Sequence, residues 1–445
     1  MPAAAKQRIV IGMGKTGLSC ARFLQARGEI FAWCDTREHP PGLDAIRHEF
    51  PAVALHCGEL DPALLAAASE IVVSPGVSVQ EPALRAASDT GVPLVGDIEL
   101  FVRATRKPVI AITGSNAKST VTTLVGDMAR ICGLCVGVGG NLGTPVLDML
   151  ADDDSTDCYV LELSSFQLET THSLQAFVAT ILNITEDHMD RYDSLADYVA
   201  AKQRIYRSAA YAVSNRADAL TVPAAGFAGQ AWSFGLDDVA GHAVGVRDCD
   251  GMRWLVSGDT RLLRVDEIRI AGQHNLANVA AAFAIALAAG WDSARCADAV
   301  RAFNGLPHRC QWVAEKRGVR FYNDSKGTNI GATIAAIEGL AGQRNIVLIA
   351  GGDGKGADFS QLAPAVAAHV RQLVLIGRDA DSIAVACNGV PQLRAVSMGD
   401  AVQRAQQCAR PGDVVLLSPA CASFDMFTGY DDRGRQFCAA VESLA

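Results

Sequence analysis

Four side chains in the first half of the chain have the types and settings of a reaction site: Lys118, Glu162, His188 and Lys202. Lys118 lies in PVIAITGSNAKSTVTTLVGDMARICG, residues 108–133. There an apolar β-branched run, Val109 to Ile112, breaks into a small polar loop, and a helical pattern begins at Ser119 or Thr120. A strand, loop and helix in this order point several backbone N–H groups into one concavity. Lys118 adds a positive charge, the Ser119 hydroxyl can ligate magnesium, and the helix N-terminus favours an anion. The chemistry implied is nucleoside triphosphate binding over Gly114, Ser115, Asn116, Ala117, Lys118, Ser119 and Thr120; the alternative is an ordinary turn with an exposed lysine. A strict phosphate loop has glycine just before its lysine, where this chain has Ala117. Positive φ costs alanine about 1–2 kcal/mol, so Ala117 is expected to keep negative φ while Asn116 or Gly114 takes the turn.

Glu162 falls near the end of DCYVLELSSFQLE, a buried strand by its pattern. A carboxylate within an apolar run is costly unless paired or metal-bound, so Glu162 is a magnesium ligand or the partner of a buried cation; the phosphate loop upstream favours metal. The segment FVATILNITEDHMDRY brings Glu186, Asp187, His188, Asp190 and Arg191 to a strand end. That cluster reads as chemistry, or as a helix cap begun by Thr185. Lys202, among alanines in a helical stretch, reads by itself as a solvated surface lysine.

The elements that would position these groups follow an α/β rhythm. RIVIGMG with its helix makes a GxGxxG at Gly12, Gly14 and Gly17, and FAWCD ends on Asp35, 18 residues after Gly17. That is the spacing of a Rossmann nucleotide site, where an acid ending the second strand can bind ribose hydroxyls. A third strand, EIVVSPGVSV, ends at Pro75 and Gly76, whose loop can close over the same ligand. The glycine-rich GVGGNLGTP exposes Asn141. Residues 215–268 read as a β-rich lobe on an ATPase core. In the helix after GQHNLAN, Asn275 and Asn278 lie one turn apart, either to read an adenine edge or to cap the helix. Beyond His308 and Arg309, further strand–loop–helix units carry Asp324, Ser325, Lys326, Thr328 and Lys355 and predict a second doubly wound parallel sheet whose basic loops suit an acidic ligand.

Composition sets the outer limits. With 445 residues, 50% hydrophobic and 20% charged, the chain should hold two to four domains, each with its own core. A formal charge of −9 argues against a general binder of nucleic acid or of anionic membranes. The thirteen cysteines are scattered with no secretory segment ahead of them, so they read as reduced thiols of a cytoplasmic protein. The pair Cys132 and Cys135 lacks a second ligand pair and reads as incidental. No apolar run is long enough to span a membrane.

Taken together, the segments resemble the Mur ligases of bacterial cell-wall synthesis over nearly the whole chain, most closely the branch that adds glutamate to UDP-N-acetylmuramoyl-L-alanine. IVIGMGKTGLSCARFL, CDTR, SPGV, TGSNAKST, LELSSFQLE, LNITEDHMDRY, AAKQRIY, GQHNLAN, HR, NDSKGTN, GGDGKGADF and LLSPACASFD carry the match, in order. The resemblance implies three α/β domains: a Rossmann-like UDP-sugar domain (1–103), a central P-loop-type ATPase with its β-rich lobe (104–308), and a C-terminal Rossmann-like doubly wound sheet for the amino acid (309–445). It implies ATP and magnesium, an acyl phosphate, attack by the glutamate amine, no nucleic-acid partner and a monomer.

Roles follow by resemblance. Lys118 holds the γ-phosphate, Ser119 and Glu162 one magnesium, and His188 with Lys202 a second; in the family the lysine matching Lys202 is carbamylated. Asn275, Asn278, Arg309 and Asp324 serve ATP. Lys326, Thr328, Lys355, Ser423 and Tyr430 surround glutamate. Lys15, Thr16, Gly17, Asp35, Thr36, Arg37, Pro75, Gly76 and Asn141 hold the UDP portion. Two departures stand out: the usual phosphate loop has threonine at Ser115 and glycine at Ala117, and FTGYDDRG lacks the usual lysine and asparagine before the aromatic. The first is expected to tune ATP binding. The second leaves open D-glutamate, the family default, or L-glutamate with later epimerisation. Rival readings are a folate-polyglutamate-type ligase, an NAD-dependent dehydrogenase and a nucleotide-sensing scaffold.

Overall fold

Apolar β-branched runs ending in glycine turns build three sheets in the computed structural model, which describes residues 7–270, 272–342 and 344–444. The outermost bounds predicted for the first and last domains, residues 1 and 445, lie outside the described residues. The first sheet is parallel, in the order Ala54–Cys57, Phe31–Asp35, Arg8–Ile11, Glu70–Val73, Leu94–Val95. This is the Rossmann order, with the strand order reversing beside Arg8–Ile11 and a crevice at the strand C-termini. The strand over Glu70–Val73 is the fourth in sequence, since the short, half-exposed Ala54–Cys57 precedes it.

The second sheet has nine strands. Val109–Thr113 lies between Val178–Ile181 and Cys158–Glu162, all parallel, so the phosphate loop, Glu162 and the 182–191 segment leave the same sheet edge. The β-rich lobe predicted on the ATPase core is an extension of its sheet. Gln230–Phe234 pairs parallel with Tyr211–Asn215, and Ala243–Cys249, Met252–Ser257 and Thr260–Arg264 continue the same sheet, the last two antiparallel. The alanine-rich helix Gln273–Ala288 is buried against this sheet, as expected of an apolar helix too short to span a membrane. Among the described residues no helix is long and apolar enough to cross a membrane.

The third sheet runs Gln311–Lys316, Val319–Asn323, Val414–Leu417, Ile346–Ala350, Val370–Leu375, Gln392–Arg394, parallel except for its first strand. The first two units each keep a buried cluster of their own, around Ile9, Ile71 and Leu84 in the first and around Ile112, Val125 and Phe283 in the second, and they share a third. Val10, Trp33, Phe101, Tyr159 and Leu161 belong to one buried cluster, with the Phe101 and Tyr159 rings edge to face at 4.9 Å. Each unit thus has a core of its own, and at this junction burial is shared in addition.

Candidate active site

The phosphate loop departs from expectation at one residue. Ala117, not Asn116, takes the left-handed turn, at φ 65°, and the helix Lys118–Ile131 starts directly after it. Gly114 is also at positive φ, 155°, as expected for one of the two alternatives. Asn116 is fixed instead: its N–H donates to Asn183 Oδ1 at 2.8 Å, and Asn183 Nδ2 donates back to the Asn116 carbonyl at 3.2 Å. With both sides of Asn116 pinned, the turn falls on the next residue, and its cost of about 1–2 kcal/mol is borne by these bonds.

Lys118 Nζ folds back to donate to the carbonyls of Gly114 (2.9 Å) and Ser115 (3.1 Å). Burial lowers its amine pKa. Ser115 itself turns away from the nucleotide side, donating to the Thr185 carbonyl at 2.8 Å. Ser119 donates to Glu162 Oε2 at 2.6 Å, Asn141 Nδ2 donates to Glu162 Oε1 at 2.8 Å, and Arg309 Nη2 donates to Ser119 Oγ at 2.7 Å. Glu162 is thus buried with hydroxyl and amide partners and with the Arg309 guanidinium one atom away. A hydroxyl and a carboxylate 2.6 Å apart are oxygen donors of the kind magnesium takes. Among the described residues no three of His, Cys, Asp and Glu converge as a metal cage.

Lys202 is no surface lysine. It is 1% exposed, donates to the Gly114 carbonyl at 3.0 Å, and lies 4.6 Å from the Tyr198 ring centroid. Burial, reinforced by the charge of Lys118, drives its pKa well below the ordinary lysine value. His188, at φ 59°, stacks edge to face on Phe166 and faces Asp187 at 3.6 Å. Burial lowers its pKa too, against the pull of Asp187. Thr185 caps no helix here: the next helix, Leu195–Gln203, is capped by Ser194.

Three cavities meet at this centre. One of about 620 Å³ lies between the first unit and the 140–145 loop. Lys15, Thr16, Asp35, Thr36, Arg37, Pro75, Gly76 and Asn141 line it, together with Ser74, Asp97 and Gln167, which sequence reasoning missed. Gly17 does not line it; a Cβ there would stand 1.8 Å from the Gly12 carbonyl oxygen, so its glycine serves helix-to-strand contact. Asp35 accepts from Met13 N at 2.7 Å and from Arg37 Nε at 2.8 Å, so both oxygens are engaged within the protein. Burial raises its pKa, but these bonds outweigh it and hold the carboxyl low. This carboxylate aims Arg37 rather than waiting for ribose hydroxyls, which removes the main support for a dehydrogenase.

The second cavity, about 340 Å³, is lined by Asn116, Ala117, Thr120, Asn275, Asn278, Arg309 and Asp324. Asn183, His274 and Phe234 were not anticipated there. Asn278 Nδ2 donates to Asn275 Oδ1 at 3.2 Å, which fixes the direction of one amide on that wall. Burial pushes Asp324 up to about 6, although Ser418 donates to it at 2.7 Å. The third cavity, about 380 Å³, holds Ser115, Lys118, Glu162, His188 and Lys202 on one side and Lys326, Thr328, Lys355, Ser423 and Tyr430 on the other. Lys326 Nζ sits 3.9 Å from the Tyr430 ring centroid, and burial with the nearby Arg309 and Lys118 charges lowers its pKa to about 8. Every predicted site residue thus borders one of the three cavities except Gly17, Gly114 and Ser119, whose hydroxyl bridges Glu162 and Arg309. The Gly114 carbonyl instead ties down both Lys118 and Lys202. All thirteen cysteines are free thiols, and Cys132 neighbours Cys296 rather than acting through the CxxC.

Comparison with known proteins agrees with this layout. Three family models match in tandem: "Mur ligase MurD-like, N-terminal domain" over residues 6–96, "Mur ligase middle domain" over 112–286, and "Mur ligase, glutamate ligase domain" over 308–421. The chain is 54% identical over 441 residues, 98% of each chain, to a UDP-N-acetylmuramoylalanine--D-glutamate ligase of Pseudomonas aeruginosa. It is 52% identical, over 99% of this chain and 98% of the relative, to the protein of that name from Marinobacter nauticus. Among solved structures, a pseudomurein peptide ligase type C from Methanothermus fervidus superposes at TM-score 0.62 with 18% identity, over 99% of this chain and 100% of the other. A UDP-N-acetylmuramate-alanine ligase from Thermotoga maritima gives TM-score 0.60 with 17% identity, over 98% and 99%. At those identities the two structures speak to the fold alone.

Proposed function

The chain belongs to the Mur ligase family, and on that premise we propose that it joins D-glutamate to UDP-N-acetylmuramoyl-L-alanine with cleavage of ATP to ADP and phosphate. The observation that carries the reading is the Arg309–Ser119–Glu162–Asn141 chain, which ties the nucleotide, amino-acid and sugar-nucleotide cavities to one point. D-glutamate is favoured over L-glutamate because the full-length relatives carry the D isomer in their names. We place the domain divisions at 103/104 and 308/309, the reaction in the cytoplasm, and the active form as a monomer, since residues of one chain line all three cavities.

A carboxylate is a poor electrophile until it carries a leaving group. Transfer of the ATP γ-phosphoryl to the alanyl carboxylate supplies one; the glutamate amine then attacks the acyl carbon, and collapse of the tetrahedral adduct expels phosphate and leaves an amide. Lys118 swings from its own loop carbonyls onto the γ-phosphate and opposes the charge that develops there. Arg309 approaches the same phosphates from the C-terminal unit. Ser119 with Glu162, and at a second position His188 with Lys202, would hold magnesium, which would supply charge neutralisation for the transferred group. A cationic lysine is a poor metal ligand. Lys202, buried and driven toward its neutral amine, suits reaction with carbon dioxide to a carbamate, an anion in place of a cation. Lys326 and Lys355, with Thr328, Ser423 and Tyr430, orient the two carboxylates of glutamate so that its amine faces the acyl carbon.

The test is direct. With UDP-N-acetylmuramoyl-L-alanine, ATP, magnesium and either isomer, phosphate release is expected with D-glutamate only. Release with L-glutamate only moves the reading to the epimerising branch, and release with neither removes it.

A further inference from the structure

Asn329 lies outside every role assigned above and is 8% exposed at the meeting of the middle and C-terminal units. Its Oδ1 accepts from Ala332 N at 2.9 Å, the N-cap of helix Ile330–Leu340, and capping alone accounts for an asparagine there. Capping does not account for the other half of the amide. Asn329 Nδ2 donates to Asn116 Oδ1 at 3.1 Å and to Asp187 Oδ2 at 3.4 Å, while Asn116 Nδ2 returns a bond to Asn329 Oδ1 at 3.4 Å. Asn116 adjoins the left-handed Ala117, and Asp187 adjoins His188 and faces Lys355 at 3.6 Å. A reciprocal amide pair thus joins the strained phosphate loop to the N-terminus of the helix that follows Thr328.

We propose that Asn329 is a positioning residue that latches the C-terminal unit onto the phosphate loop, so that the glutamate-binding wall is seated only when Asn116 and Ala117 hold their nucleotide-competent turn. The proposal rests on the ligase reading for its kinetic consequence but not for its geometric one. Serine at this position keeps a cap acceptor and is too short to reach Asn116 or Asp187, which separates latch from cap.

For Asn329→Ser the expected result is a kcat at least about tenfold lower, with the Kd for UDP-N-acetylmuramoyl-L-alanine by calorimetry within about twofold of wild type. The melting temperature should be unchanged, and Asn116→Ser/Asn329→Ser should be no worse than Asn116→Ser alone. Small-angle scattering with ATP and magnesium should show a larger radius of gyration for Asn329→Ser than for wild type. A wild-type kcat, a wild-type radius of gyration, or loss of sugar-nucleotide binding and melting temperature in step with kcat overturns the latch. Should the wild type form no amide, the ligase reading falls and the scattering comparison alone decides the latch.

Discussion

An amine sealed from water costs several kcal/mol if it stays charged, so a buried lysine is neutral, paired or modified. Lys202 meets carbonyl and hydroxyl oxygens in its pocket, and the strongest charge acting on it is the Lys118 cation, so the carbamate proposed above would replace a repelled cation by an anion. Lys202→Ala should lower turnover by about 100-fold or more, with partial recovery on adding short-chain carboxylates; full activity in the variant dismisses the metal role. Lys326 gives a prediction in pH. Its pKa of about 8 lies below the ordinary lysine value, so raising the pH through that point removes the charge proposed above to receive a glutamate carboxylate. The profile of kcat/KM for glutamate should therefore fall above about pH 8, and in Lys326→Arg the falling limb should move up by more than about one unit. Glu162 and His188 were legible as reactive because charge stood at the ends of apolar runs. The burial of Lys202 was not, because what covers it, Thr113 and Gly114, lies 89 and 88 residues away.

The strand–loop–helix elements were legible because each is a local pattern: an apolar run, a small polar loop, a helical period. What failed depended on distant pairing. Residues 243–264 were legible as a strand-rich lobe on the ATPase core, but not that hydrogen bonding of 243–249 beside 230–234 makes them an extension of the central sheet. Ala117 failed for the same reason, since the clamp on Asn116 comes from Asn183, 67 residues on. If that clamp sets the turn, Ala117→Gly should be tolerated, with stability within about 1 kcal/mol of wild type because relief of the left-handed strain offsets the added chain entropy. Ala117→Val, β-branched at φ 65°, should cost more than about 2 kcal/mol and lose nucleotide binding. Thermal melts paired with nucleotide titrations check both; equal stability in the two variants would mean the loop relaxes to another turn.

At the scale of the molecule, the first and middle units share a buried core, whereas the C-terminal unit meets the middle one largely through polar contacts: Arg309 to Ser119, Asn329 to Asn116, Gln361 to Glu186, Lys355 to Asp187. Polar junctions of this kind separate more readily than apolar ones, and the nucleotide cavity is built across this junction, with Asn275 on one wall and Asp324 on the other. Nucleotide should therefore act as cement between the two units while the sugar nucleotide does not. Arg309 is, with Lys355, a cation of that junction, and it reaches the hydroxyl that anchors Glu162. Losing a charge-assisted hydrogen bond here should remove about 1.5–3 kcal/mol of nucleotide binding, a roughly 10-fold to 140-fold weaker Kd in Arg309→Ala. Calorimetry should find the affinity for UDP-N-acetylmuramoyl-L-alanine within about twofold of wild type in the same variant, because that ligand lies across the other, apolar junction. In thermal scans, nucleotide should raise and sharpen the transition of the wild type and leave that of Arg309→Ala almost unmoved. Equal weakening of both ligands would mean that the guanidinium supports the whole centre rather than the junction, and the division of labour between the two interfaces would have to be redrawn.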